Sequence, residues 1–425
     1  MRGMARIQSL RERLAEALWV APAVGLLAAM ALAALTIEID GGIAVGDGAV
    51  IGFGGGPDSA RSILSTIAAS MLTFLALVFT LTVVALQLAS DFSPRLLSSF
   101  LSARVSKLAL ALFVATFTYS VLVLREVAPA DVPELSVTVA IVLAILAVLV
   151  FVYYVSEIAQ SLRLANIVDR AGAATRAEIA AMADHRGEPG AEERERERGL
   201  GAIQGTEAAA VVHWPDGPGV VTTLDLDGMR KLAGELDAIL ELRMAVGDFL
   251  TTGAPTVAVY GSDRGLAPER VAGLMATAKE RTFSQDPAFG LRQLTDIAAR
   301  ALSPGINDPT TAVQALDQIH DALLRLGGRR LPSGVLRDPD DQVRALLPVL
   351  SWDDYLHLSL DEIRIYGEGS LQVSQRMRAL LEDLAERLPA ARQAAIAAQL
   401  RLLDRAVEAG FVDEDDRRRA GLARG

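Results

Sequence analysis

The strongest constraint in this sequence is one long uncharged run, from Ile63 to Ala89. The run contains neither a charged residue nor a proline. At about 1.5 Å of rise per residue, a helix over this run is long enough to cross the roughly 30 Å hydrocarbon layer of a bilayer. The run therefore predicts a membrane-spanning helix.

The same run is unusually polar for a membrane helix. A set of its residues recurs at alternating steps of four and three, which puts the set on one seam of a helix. This hydroxyl seam consists of Thr66, Ser70, Thr73, Leu77, Thr80, Val84, Gln87 and Asp91. Two interpretations are open: the hydroxyls bond across a helix–helix interface, or the seam lines a water-filled pore between several copies of the chain.

Three further apolar runs predict membrane-spanning helices at residues 18–37, 108–124 and 135–155. Together with the helix at 63–89, they predict a four-span transmembrane domain over residues 1–158. Basic residues concentrate in the N-terminal tail, after the second span and after the fourth. The positive-inside rule then places both termini in the cytoplasm.

The remainder of the chain predicts an α+β cytoplasmic domain. Residues 159–205 indicate an amphipathic helix and a charged linker, HRGEPGAEERERERG, which we expect to be solvated. Residues 206–265 alternate short β runs with Gly and Pro turns, typical of a small β-barrel or sandwich-like part. Residues 266–425 are mainly helical, although the segment from Tyr355 to Leu360 also fits a short strand.

Composition argues against several classes of function. The chain has no cysteine, which rules out disulfides, thiolate nucleophiles and Cys-based metal sites. Its four histidines are not paired at ligand spacing, and P-loop, GxSxG and HExxH motifs are lacking. A net charge of −11 disfavours nucleic-acid binding. We therefore expect no metal, no cofactor and no enzymatic activity.

The most unusual polar sequence of the second half runs from Arg281 to Asp317. Arg292, Asp296 and Arg300 are four residues apart and share one helix face. The stretch is either a salt-bridged helix joined to the next by a tight turn, or a regulatory site in which a helix start and nearby arginines bind an ion. The candidates for such a site are Gln285, Asp286, Arg292, Asp296, Arg300, Asn307 and Asp308.

Three stretches together resemble the bacterial DUF2254 family of predicted membrane proteins. They are SILSTIAASMLTFLALVFTLTVVALQLASDFSPRLL, GDFLTTGAP and the stretch from Arg281 to Asp317. The resemblance implies a multi-span domain in the bacterial inner membrane and a cytoplasmic C-terminal domain, and it implies no established activity. Leucine and phenylalanine occupy positions in LTFLALVFTL where the family pattern has smaller or β-branched residues. These larger side chains would narrow a path beside the helix.

These features together predict an oligomeric ion channel or small-ion transporter. The hydroxyl seam would line the path, and the cytoplasmic domain would assemble or gate it. The expected partners are the lipid bilayer, further copies of the chain in a homo-oligomer, and small ions. A non-conducting membrane scaffold or sensor is the alternative, and a membrane-tethered enzyme is a third.

Overall fold

A computed structural model describes residues 19–42, 53–92, 104–129, 132–161, 164–182, 187–262, 266–283 and 285–421. The chain divides into two compact units, Met1–Asn166 and Ile167–Gly425. The division lies C-terminal to the boundary predicted after residue 158. Each unit has a hydrophobic core of its own.

The first unit contains four long helices, each apolar enough to cross a membrane. They are α1 (Val20–Gly42), α2 (Pro57–Phe92), α3 (Arg104–Glu126) and α4 (Glu134–Ser161). The four predicted spans are therefore present as helices, and most extend beyond the apolar runs that identified them. Helix α2 already begins at Pro57, where the fixed backbone angle of proline suits a first helical turn.

Helix α3 is central to the first unit, because it packs against α1, α2 and α4. Gly25 permits a close approach of α1 to α3, since a Cβ there would lie 2.5 Å from the carbonyl oxygen of Ala111. Small residues allow membrane helices to pack at such short range. Phe74 stacks on Phe151 at 4.7 Å between ring centroids, and Phe113 lies 5.8 Å from Phe74. Aromatic rings therefore fill the space between α2, α3 and α4.

Polar contacts join the helix ends of the first unit. The carboxylate of Asp40 in α1 accepts hydrogen bonds from the backbone N–H groups of Leu135 and Ser136, at 3.0 and 2.9 Å. It also accepts from the Ser136 hydroxyl at 2.6 Å. Asp40 therefore satisfies orphan donors at the start of α4, as an N-cap residue would.

The strands of the second unit form two open sheets. They are β1 (Ala210–His213), β2 (Gly219–Leu224), β3 (Ala238–Leu242), β4 (Phe249–Leu250), β5 (Pro255–Gly261), β6 (Met275–Ala278), β7 (Val335–Arg337) and β8 (Val343–Leu346). One sheet has the order β1-β5-β3-β8-β7 and the other β4-β2-β6. The pairing is antiparallel, except between β3 and β8.

Residues 206–265 were predicted to form a small β-barrel or sandwich-like part, and the barrel alternative is wrong, because the strands belong to two open sheets. Strands β1 and β2 flank the Pro-Asp-Gly-Pro turn, but they join different sheets instead of pairing with each other. Three strands come from beyond residue 265, so this part of the fold is not self-contained. The two sheets share one core, with Val221 from the smaller sheet and Leu240 and Val259 from the larger.

Ten helices are described for the remainder. They are α5 (Leu164–Ala181), α6 (Ala191–Gly201), α7 (Leu226–Leu236), α8 (Pro268–Ala272), α9 (Pro287–Ala301), α10 (Pro309–Gly327), α11 (Trp352–Tyr366), α12 (Leu371–Arg387), α13 (Ala390–Gly410) and, as a short last helix, α14 (Glu414–Ala420); α5 spans the division between the units. The strand that Tyr355–Leu360 also fitted is absent, since this segment lies inside α11. Ser351 and Asp354 form a capping box that starts α11.

The prediction of a solvated charged linker is wrong for residues 191–201, which form α6. One face of α6, with Glu192, Glu195 and Arg196, contacts the remainder of the second unit. Glu195 pairs with Arg330, and Arg196 Nη1 donates to the carbonyl oxygen of Leu347 at 2.9 Å. The sequence EERERER places Glu192, Glu195 and Arg196 at helical spacing, so one charged face can dock while the other remains in water.

Candidate functional site

The hydroxyl seam lies on the face of α2 that points away from the other helices of the first unit. Its described side chains are exposed or half-buried: Thr66, Ser70, Thr73, Leu77, Thr80, Val84 and Gln87. The side chain of the eighth predicted member, Asp91, lies outside the described residues. The opposite face is buried and includes Leu64, Met71 and Val78. The predicted seam members with described side chains therefore share one outward surface.

Each hydroxyl of the seam donates to a carbonyl oxygen one turn earlier in α2. The donor–acceptor distances are 2.7 Å at Thr66, 2.8 Å at Ser70, 3.2 Å at Thr73 and 2.9 Å at Thr80. This bond satisfies the hydroxyl hydrogen without a second helix. A hydroxyl oxygen that has donated its hydrogen still has acceptor lone pairs. The seam therefore offers hydrogen-bond acceptors to whatever contacts it.

A second outward surface of α2 lies beside the seam and is apolar. Leu72, Phe79 and Val83 are 51%, 55% and 51% exposed. Helix α4 is similar, with Leu149 and Val152 both exposed. Side chains of this kind suit contact with lipid. Helix α2 thus presents two exposed surfaces of different chemistry.

Interhelical hydrogen bonds in the first unit use residues that the sequence analysis did not select. Thr82 and Tyr154 form a hydroxyl–hydroxyl bond of 2.8 Å between α2 and α4. Thr36 and Tyr119 form one of 2.8 Å between α1 and α3. Both tyrosines are buried. The available signal was a phenolic hydroxyl inside an apolar run, which must find a partner when it is buried.

Asp286 anchors the start of the third family-like stretch. Its carboxylate accepts from the Phe289 backbone N–H at 3.1 Å, as the N-cap of α9. It also receives two hydrogen bonds from Arg281, at 2.5 and 3.0 Å. A Cβ on Gly247 would lie 2.5 Å from Arg281 Nε, so the guanidinium packs against the Gly-Asp turn of GDFLTTGAP. The second and third family-like stretches therefore meet at Arg281, which sequence reasoning had passed over.

Two of the predicted residues hold left-handed backbone conformations. Gln285 has a φ of 59°, and its side-chain amide bonds the backbone of Leu224, with N–H to Oε1 at 3.1 Å. Asn307 has a φ of 50° and is exposed in the turn before α10. Asp308 is the N-cap of α10, as its position before Pro309 indicated. These residues shape the ends of β2, α9 and α10.

The three charged residues on α9 separate into a paired group and an exposed one. Arg292 lies 2.8 Å from Asp296 and 2.7 Å from Glu362 of α11. Burial acts to lower the pKa of Arg292, but Glu362 and Asp296 outweigh it and raise the pKa. Arg300 is exposed and forms no ion pair within the described part of the chain. Glu362 was not anticipated, because it follows Arg292 by 70 positions and no local pattern links them.

The structure does not gather the seven candidates for a regulatory site around one opening. Gln285 lines an open cleft of about 620 Å³ together with Thr223, Asp225 and Asp227. The carboxylates of Asp286 and Asp308 occupy the N-terminal ends of α9 and α10, where an anion would otherwise bind. Within the described ranges, no three His, Asp or Glu side chains are grouped to hold a metal ion. An ion-sensing role for these residues stays a prediction.

The third family-like stretch also supports α5. A Cβ on Gly290 would lie 2.1 Å from Thr175 Oγ1, so α5 and α9 approach closely there. Gln318 of α10 bonds both Arg176, at 2.5 Å, and Asp169, at 2.9 Å. Helix α5 follows the last apolar helix directly in the chain. Gly290, within the stretch, and Gln318, the residue directly after it, therefore hold α5 against the remainder of the second unit.

Comparison with known proteins gives a family and no activity. Residues 15–383 match the family described as "Predicted membrane protein (DUF2254)". An uncharacterized protein of Mycobacterium tuberculosis is 31% identical over 431 residues, which cover 97% of this chain and 80% of that protein. An uncharacterized protein of Mycobacterium bovis matches with the same identity and coverage. No solved structure matches the chain significantly.

Proposed function

Because this chain belongs to the DUF2254 family of predicted membrane proteins, we propose that it is an integral membrane protein that forms a homo-oligomer and conducts small ions along the hydroxyl seam. Several copies of α2 would surround an axis, with the seam of each copy facing that axis. The observation that carries the proposal is the outward position of the seam, opposite the buried face of α2.

The interior of a single first unit offers little support for a path of its own. Phe74, Phe113 and Phe151 pack together between the helices. The hydroxyls of Tyr119 and Tyr154 are engaged with other helices of the same unit. A path between copies is therefore favoured over a path through one copy.

The seam alternates polar and apolar levels. Thr73 and Thr80 lie on either side of Leu77, and Val84 follows. Around an axis, each hydroxyl level becomes a ring of acceptors, and each apolar level becomes a ring that can exclude water. Hydrophobic constrictions of this kind gate channels by dewetting. Leu77, which is 42% exposed in a single copy, is the proposed constriction.

The proposed location is the bacterial inner membrane, with both termini in the cytoplasm. The concentration of basic residues before the first span and after the second and fourth supports this orientation. The mycobacterial relatives support a bacterial cell membrane. The second unit would then be cytoplasmic, with a role in assembly or gating and no catalytic role.

A non-conducting scaffold is the second candidate, and one observation favours it. The seam hydroxyls are satisfied within α2, so two copies of this face could pack directly without water between them. Enlarging seam residues would then change assembly, and no ion flux would exist to be altered.

Ion flux from liposomes that contain the purified full-length chain tests the proposal. The variant Thr73→Leu/Thr80→Leu removes two acceptor levels and is expected to reduce flux by about tenfold or more, equivalent to a barrier of roughly 1.4 kcal/mol. Ser65→Leu is the matched control, because Ser65 is exposed and back-bonded at 2.9 Å but lies off the seam. Wild-type protein without flux under either membrane polarity would contradict a channel.

A further inference from the structure

A cleft lined half by apolar and half by charged side chains opens between α11 and α13 in the second unit. Its volume is about 310 Å³. The lining residues are Arg364, Ile365, Glu368, Leu402, Arg405 and Ala406. The cleft is too open to enclose a small molecule, so it is better suited to receive a protruding side chain.

Large apolar side chains protrude around this cleft. Ile365 and Tyr366, the last residues of α11, are 57% and 54% exposed. Val412, two residues after the end of α13, is 93% exposed. A Cβ on Gly410 would lie 2.7 Å from Glu368 Cγ, so the segment that carries Val412 runs beside the end of α11. Clustered exposed apolar residues with polar neighbours mark interaction surfaces.

The cleft also carries an acid and a base that do not pair. Glu368 and Arg405 are exposed, and neither forms an ion pair within the ranges that the structure describes. Their neighbours behave differently: Asp404 pairs with Arg378, and Arg364 lies 3.2 Å from Asp361. One surface therefore combines exposed apolar side chains with a recess whose sides carry an acid and a base that have no ion-pair partner in the described ranges.

We propose that this surface binds the same surface of a second copy of the chain. We call it the α11–α13 patch, and it consists of Ile365, Tyr366, Glu368, Leu402, Arg405 and Val412. In a two-fold arrangement every contact occurs twice. Glu368 of each copy faces the partner's Arg405, and the exposed apolar side chains of each copy enter the cleft of the other. The patch needs no other protein, because it supplies both halves of each contact.

The proposed contact at the α11–α13 patch rests on the proposed homo-oligomer. It would join copies of the chain in pairs through a surface outside α2. Cysteine cross-linking tests it cleanly, because the natural chain has no cysteine. Tyr366→Cys in the full-length chain, reconstituted in liposomes, is expected to give a covalent dimer with a bismaleimide reagent, which joins thiols that do not touch each other. Leu226→Cys is the matched control, since Leu226 is also an exposed apolar residue, 38% exposed, and lies outside the patch.

Charge reversal makes the test specific. In the Tyr366→Cys background, Glu368→Arg or Arg405→Glu alone places like charges opposite each other, and we expect about tenfold less cross-linked dimer. The double reversal restores opposite charges and is expected to recover cross-linking to within about threefold of the parent. Recovery would also show that the single variants lose a contact and do not misfold.

The results separate this inference from the proposed function. Equal cross-linking at Leu226→Cys, or a double reversal that stays as weak as the single ones, overturns the α11–α13 patch. Liposomes that conduct ions while Tyr366→Cys gives no dimer overturn the patch alone. A reconstituted chain with neither flux nor any oligomer contradicts both proposals.

Discussion

Glu192 and Arg392 form an ion pair inside the second unit, although 200 residues separate them in the chain. Glu192 Oε1 lies 2.5 Å from Arg392 Nη2, and the side chains are 6% and 0% exposed. Arg392 Nη2 also donates to the carbonyl oxygen of Arg329 at 3.1 Å. The guanidinium lies 5.6 Å from the ring centroid of Trp352. The pair therefore fixes α6 to the first turn of α13.

Replacing Arg392 by Met should strongly destabilise the second unit. Glu192 would remain buried without its cation, and breaking a buried pair in this way costs about 3–5 kcal/mol. Thermal unfolding of the full-length chain in detergent measures the loss. Arg418→Met is the control, because Arg418 and Glu414 are exposed and 4.0 Å apart, and it should cost less than about 1 kcal/mol. Equal unfolding temperatures for the two variants would contradict the assigned role of Arg392.

Gly290→Ala should disturb the contact between α5 and α9. The new Cβ would lie 2.1 Å from Thr175 Oγ1, so one helix must shift, at a cost of about 1–3 kcal/mol. Thr175→Ala removes that oxygen and should recover part of the loss. Gly305→Ala in the same stretch is the control, since no atom lies within 4 Å of a Cβ there. Protease resistance of the segment from α5 to α9 reports the shift, and an unchanged digestion pattern in Gly290→Ala would argue against this contact.

The stability of the second unit should depend on His320 under mildly acidic conditions. Burial, followed by Arg376, lowers the pKa of His320 below its ordinary value of 6.5, although Asp383 acts in the opposite direction. His320 Nε2 lies 2.8 Å from Asp383, and Arg376 donates to Nδ1 at 2.9 Å. The unfolded chain therefore takes up this proton at higher pH than the folded one. The contribution of His320 to the free energy of unfolding is present above pH 6.5 and is lost as the pH falls through the pKa of His320 in the folded chain.

His320→Gln should accordingly flatten the fall in unfolding temperature between about pH 7 and pH 5. His357 provides a control of opposite sign, because its hydrogen bond to Asp361 raises its pKa above 6.5. The contribution of His357 to the free energy of unfolding is present below pH 6.5 and is lost as the pH rises through the pKa of His357 in the folded chain. A His320→Gln profile that is parallel to the wild type would refute the assignment.

Leu77→Ser should increase ion flux through reconstituted protein. If Leu77 forms the apolar ring of the seam, a hydroxyl there lowers the cost of wetting the path, and flux should rise by roughly tenfold. Leu72→Ser makes the same chemical change on the neighbouring apolar surface, where Leu72 is 51% exposed, and should leave flux unchanged. Flux that rises equally in both variants would indicate a general weakening of the helix bundle.

The sequence identifies those elements whose formation depends on local composition. The four apolar helices follow from run length and hydropathy, which need no knowledge of a partner. The start of α10 follows from Asp308 before Pro309, since capping is decided within one turn. The common face of the seam follows from helical spacing alone. Whether that face points outward depends on where α3 and α4 pack. Helical spacing carries no information about that packing.

Contacts between segments that are distant in the chain account for the predictions that were wrong. The charged residues of α6 were predicted to be solvated, because Arg392, the cation that pairs with buried Glu192, lies 200 residues further along the chain. The short β runs and turns of residues 206–265 suggested a barrel or sandwich. No local pattern shows that β3 pairs in parallel with β8, which places Ala345 opposite Leu240. In the candidate site, Gln285 looked like a ligand residue. Its amide instead bonds the end of β2, at Leu224, 61 positions away.

The position of Asp40 has a consequence for how the first unit is made. Its carboxylate serves the N–H groups of Leu135 and Ser136, which are 95 and 96 residues further along the chain. Before these residues have been synthesised, the Asp40 carboxylate lacks the two N–H donors that it binds in the folded unit. The contact between α1 and α4 therefore forms only after the fourth apolar helix has been synthesised.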